Sequence, residues 1–95
     1  MRTEQAIETL IAAGLVARKR NETIVGGTTL EEVGEGIFQY SCLFRIISEE
    51  NGWMATCVVV GQKPTLLRGR DLSTIVSAVI KAYQQNGLIA QPIIR

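Results

Sequence analysis

Ninety-five residues, 46% of them hydrophobic, carry ten Lys and Arg against nine Asp and Glu, for a formal net charge of +1. This length fits one domain over residues 1–95. The apolar content argues against a disordered chain, and near-neutrality excludes a uniformly basic or acidic protein while leaving room for a local patch. No apolar run is long enough to span a bilayer, and Met1-Arg2-Thr3-Glu4-Gln5 lacks the apolar stretch of a signal peptide. The expected location is therefore the cytoplasm, where Cys42 and Cys57 are expected to be free thiols behaving as small hydrophobes.

The first helix is expected to begin at Thr3, a residue that can cap it, with Glu4 near the positive end of the dipole. Ile7, Leu10, Ile11 and Gly14 fall at helical spacing and form one apolar stripe. Leu15 and Arg18 continue that stripe to about Arg20, with Asn21 as a terminator. Alternatively, Gly14 is a C-terminal glycine cap with Leu15 as its hydrophobic contact, and Leu15–Lys19 becomes a short strand. Gly14-Leu15-Val16-Ala17 echoes Gly87-Leu88-Ile89-Ala90. Chance suffices at this length; the alternative is that one type of cap ends both helices. Arg18-Lys19-Arg20 is the one basic run, readable as solvated charge or as a phosphate contact.

Thr23-Ile24-Val25 reads as a strand that Gly26-Gly27 breaks or bulges and Thr28–Val33 resumes, giving a kinked first strand. Gly34-Glu35-Gly36 then turns the chain. With no helix following and Glu31, Glu32 and Glu35 nearby, this glycine pair does not suit a phosphate loop, and the glutamates suit protection of an exposed strand edge.

Ile37–Ile47 and Trp53–Val60, joined at Glu49-Glu50-Asn51-Gly52, predict a long β-hairpin. Alternation places Phe38, Tyr40, Cys42, Phe44 and Ile46 on one face with Trp53, Ala55, Cys57 and Val59, the expected core face. The other face holds Gln39, Ser41, Arg45 and Thr56 among Ile37, Leu43, Ile47, Met54, Val58 and Val60. A face this apolar calls for a cover: a helix, the C-terminal tail or a second copy of the chain.

Gly61–Pro64 predicts a turn and Thr65–Arg68 a short strand. Asp71 caps a second helix running to about Asn86, with Leu72, Ile75, Val76, Val79, Ile80 and Tyr83 as a broad apolar face and Gly87 as C-terminal cap. This helix is expected to cross the Phe38, Tyr40 and Phe44 face. The remainder, extended around Pro92, carries Ile89, Ile93 and Ile94 and is expected to dock on its own sheet or on a partner's. The fold class is thus α+β: helix, antiparallel sheet of three to four strands, helix, extended tail.

The sequence contains no histidine, which removes the usual Ser-His and Cys-His nucleophile pairs and the commonest metal ligand. The carboxylate pairs Glu31-Glu32 and Glu49-Glu50 are sequence neighbours that point apart within a strand. The expectation is a protein without catalytic machinery, metal or cofactor. Two readings follow. The first is a small homodimeric interaction or assembly module, joined through Leu43, Ile47, Met54, Val58 and Val60 or through the tail with Ile93 and Ile94. The second is a single-stranded nucleic-acid binder using Lys63, Arg68, Arg70, Arg45 and the run Arg18, Lys19 and Arg20, with Arg68-Gly69-Arg70 close to a helix N-terminus. The order helix, strands, helix resembles the double-stranded-RNA-binding domain, and four strands followed by a helix resembles the subunit topology of the Whirly and Pur single-strand binders. Asp71-Leu72-Ser73-Thr74 stands where the first of these families has a lysine-rich helix start, a departure that counts against a duplex-RNA reader. No membrane partner is expected.

Overall fold

Both helices stop for the same reason. In the computed structural model, which describes residues 1–90, helix α1 covers Thr3–Ala12 and α2 covers Leu72–Gln85. Gly14 (φ +105°) and Gly87 (φ +70°) lie just beyond the two ends, in a backbone region that a Cβ disfavours. After α1, the N–H groups of Gly14 and Leu15 donate to the carbonyls of Ile11 (3.0 Å) and Leu10 (3.1 Å). After α2, those of Gly87 and Leu88 donate to Gln84 (3.0 Å) and Tyr83 (2.9 Å). These are two copies of the Schellman motif, so the sequence echo marks a repeated cap. The continuation of α1 to Arg20 is thereby corrected: the helix ends before Gly14 and Val16–Arg20 is a strand. Its start also moves. Arg2 is the capping residue, its backbone N–H donating to Gln5 Oε1 at 2.8 Å, and Thr3 is already helical. Ala6 and Leu10 are the buried positions of α1, while Ile11 faces outward.

Among the described residues seven strands, β1 (Val16–Arg20), β2 (Thr23–Gly27), β3 (Thr29–Gly34), β4 (Ile37–Ser41), β5 (Phe44–Glu49), β6 (Gly52–Cys57) and β7 (Thr65–Gly69), replace the three or four expected. Five form an antiparallel sheet in the order β1-β2-β5-β6-β7, and β3 and β4 form a separate two-stranded sheet. The extra strands arise because two expected continuous strands are broken. Thr28, just after the Gly26-Gly27 end of β2, separates β2 from β3. Cys42, in the left-handed region at φ +49°, and Leu43 separate β4 from β5. The two breaks are adjacent in space, since the Thr28 N–H donates to the Ser41 carbonyl at 2.9 Å. Thus β2-β3 and β4-β5 make one long hairpin whose outer half leaves the main sheet.

One sheet face packs on the helices. Leu15, Ile24, Phe44, Ile46, Ala55 and Cys57 meet Ala6 and Leu10 of α1 and Leu72, Ile75, Val76, Val79 and Tyr83 of α2. Trp53 is half-buried against this core, as its parity predicted. Asp71 caps α2 as expected, accepting the Thr74 N–H at 2.8 Å, and this bond holds its carboxyl below the usual carboxylate range. Leu88 and Ile89 dock against the core, whereas Ile93 and Ile94 lie outside the described residues. No described helix is long and apolar enough to cross a membrane.

Gly26 faces the core directly opposite Phe44. A Cβ there would collide with the Val16 carbonyl oxygen and come within 2.6 Å of Phe44 Cζ. Gly26→Ala is therefore expected to destabilise the fold by about 1–3 kcal/mol, the usual cost of overpacking a filled core. Urea unfolding checks this; a variant as stable as the parent would contradict the close approach.

Candidate functional site: a groove beneath the bent hairpin

The bend carries a chemical requirement. Leaving the main sheet at Cys42 removes that residue's carbonyl from the ladder, and a half-buried carbonyl outside the ladder calls for another donor. Tyr83 of α2 provides it, its hydroxyl donating to the Cys42 oxygen. The Tyr83 ring also meets Phe44 edge to face, at 5.8 Å between centroids. Burial, with lesser contributions from Cys57 and Cys42, pushes the Tyr83 hydroxyl above its ordinary range, which keeps it protonated as a donor. Burial likewise pushes the Cys57 thiol from 9.0 up to about 11.

The bend reverses what alternation alone predicts for the outer half of the hairpin. Phe44 and Ile46 face the core, as expected, but Phe38 and Tyr40 do not. They line a groove of about 540 Å³ between the hairpin and the sheet face that the helices leave open. Phe38 is 57% exposed, and the expectation that both rings pack under α2 is corrected.

The open face supplies the rest of the groove. Arg18, Val25 and Arg45 are consecutive cross-strand partners on β1, β2 and β5, so they share a face. Two strand spacings, roughly 10 Å, separate the two arginines, with nearly buried Val25 as the floor between them. Arg20 stands two residues from Arg18 on the same face. The Arg18 guanidinium lies 5.7 Å from the centre of the Tyr40 ring, a cation–π contact that links sheet and hairpin. Leu43, Val58 and Val60 complete the apolar wall, as neighbours on the open face, with the Val58 N–H donating to the Leu43 carbonyl at 2.8 Å. Among the described residues, none of those lining the groove carries a carboxylate. The nearest candidate by register, Glu32 opposite Phe38, is tied into the β3–β4 turn, where it accepts the Gly36 N–H at 3.0 Å.

The expected basic set therefore divides. Arg18, Arg20 and Arg45 converge on the groove. Lys19 has the opposite parity, in the row of Ile24 and Ile46. Arg68 lies on the open face beyond the groove, paired with Glu49 at 3.5 Å and touching the Met54 sulfur at 3.9 Å. Lys63 and Arg70 are exposed in the connections before and after β7. The α2 N-terminus near Arg70 already has the Asp71 carboxylate on it. The expected dimer set divides too: Leu43, Val58 and Val60 line the groove, while Ile47 and Met54, directly paired, lie outside it with Leu66. Sequence reading missed Phe38 and Tyr40 as surface residues. Among the described residues no cluster of His, Cys, Asp or Glu could hold a metal ion. The resemblance in element order does not extend to a three- or four-stranded sheet. Comparison with protein-family models, with curated proteins and with solved structures gives no match for this chain.

The raised Cys57 and Tyr83 values fix the sign of an alkaline effect. In the unfolded chain these groups lose their protons near their ordinary values of 9.0 and 10.0, while the fold retains them. Stability is therefore full below pH 9 and declines as pH rises towards about 11 and beyond. Urea midpoints measured across that window are expected to fall, and Tyr83→Phe, less stable at neutral pH, is expected to show a shallower decline. A flat profile would contradict the burial of both groups.

Proposed function

We propose that the chain is a non-catalytic interaction module whose working surface is the groove beneath the bent hairpin, and that its partner is an extended, negatively charged polymer. One observation carries this reading: three guanidiniums, Arg18, Arg20 and Arg45, line a single groove that no carboxylate of the described residues lines. Near-neutral net charge does not weigh against it, because attraction at the surface is set by charges within about a Debye length, roughly 8 Å at physiological salt. Arginine suits the task, since its planar fork binds oxyanions bidentately and its flat face packs on aromatic rings.

A second reading concerns assembly. Ile47, Met54 and Leu66 share a strip of the open face outside the groove with Arg68 and Thr56, and Leu66 is 54% exposed. A second copy covering this strip forms a homodimer and leaves the groove accessible.

Titration with short heparin fragments and with polyglutamate, followed by light scattering, tests both. Arg18→Glu combined with Arg45→Glu is expected to weaken polyanion binding at least ten-fold and to flatten its salt dependence, whereas Lys63→Glu and Arg70→Glu have little effect. Equal losses from all four positions would place the site elsewhere. If the assembly reading holds, the parent elutes with the mass of a dimer and Leu66→Glu with that of a monomer.

A further inference from the structure

We infer that the polymer is single-stranded nucleic acid, bound with its phosphates on the arginines and its bases on Phe38 and Tyr40. The inference rests on the polyanion reading of the groove and names the partner class from a separate feature, the aromatic wall. A site for an acidic peptide needs cations and hydrogen-bond donors. It gains little from an exposed phenyl ring, yet Phe38 presents one in the groove, 57% exposed and one strand repeat from Tyr40. Aromatic rings beside cations are the combination that single strands require, because every base has a π face and every residue a phosphate.

Spacing narrows the class further. Phe38 and Tyr40 lie on the same side of β4, two strand rises or about 7 Å apart. Arg18 and Arg20 repeat at the same interval on β1. That interval is about two stacking rises of roughly 3.4 Å, so bases seated on both rings must each free a face for a ring. A base stacked on both sides within a duplex has no such free face without opening. Arg18 contributes twice: its guanidinium holds the Tyr40 ring and adds positive charge beside it. Arg45, across Val25, supplies a cation on the other side of the floor.

The probe is a short fluorescent oligothymidylate, which has little structure of its own, compared by anisotropy at low salt with an abasic oligonucleotide of equal length and with a duplex. The expected result is binding of the oligothymidylate roughly ten-fold or more tighter than of either control. Phe38→Leu and Tyr40→Leu are expected to bring oligothymidylate binding down towards that of the abasic strand. The Phe38 variant guards against misfolding at Tyr40, because Phe38 is largely solvated. Equal binding of the oligothymidylate and the abasic strand, or of the duplex, would overturn the base-stacking inference and leave the polyanion reading in place. Preference for polyglutamate or heparin over the oligothymidylate would likewise overturn it in favour of another polyanion. Failure of every polyanion to bind would overturn both readings.

Discussion

The hydrogen bond from the Tyr83 hydroxyl to the Cys42 carbonyl is the interaction on which the rest of this structure depends. Cys42 adopts a left-handed backbone that costs a non-glycine residue energy, and its carbonyl leaves the strand ladder. A donor from α2 offsets that cost at the point where the hairpin bends. The same side chain packs edge-on against Phe44, which in turn lies over Gly26 on the neighbouring strand. Helix, bend and glycine thus form one connected unit. Removing any one of them leaves either a half-buried carbonyl without its donor or a ring without a seat.

The bend also explains how a nearly neutral chain acquires a polar specialisation. Without it, Phe38 and Tyr40 would continue the core face and the arginines of β1 and β5 would stand on a plain solvated sheet. With it, the outer half of the hairpin sits beside the open face, and aromatic rings and guanidiniums are brought together across a groove. Three acidic residues have partners elsewhere: Glu49 with Arg68, Asp71 at the start of α2, and Glu32 in the hairpin turn. A surface pair such as Arg68 with Glu49 contributes about 0–1 kcal/mol to stability. Its larger consequence is to reduce the net charge of that part of the face relative to the groove.

Local chemistry was legible in the sequence wherever a residue type has few uses. Asp71, Gly87 with Leu88, and the Thr65–Arg68 strand were each readable, because caps and short strands are set by nearest neighbours. The first helix boundary was legible only as two alternatives. Both endings satisfy the apolar stripe, and the Gly14-Leu15 pair is resolved by its hydrogen bonds. The fate of Phe38 and Tyr40 was not legible. Alternation holds within a strand, and nothing about a cysteine announces a left-handed backbone. That conformation is stabilised by Tyr83, forty-one residues away. The basic residues were identifiable as candidates, but register alone separates Arg18 and Arg20 from Lys19 between them, and the kinked strand had to be placed before register could be read.

Amide chemical-shift mapping on the isotope-labelled chain, titrated with a short single-stranded oligonucleotide, tests the location of the site most directly. The largest changes are expected on residues 18–20, 38–45 and 58–60, the two walls of the groove and its end. Changes centred instead on Lys63, Arg70 and the first turn of α2, with the groove unmoved, would contradict it.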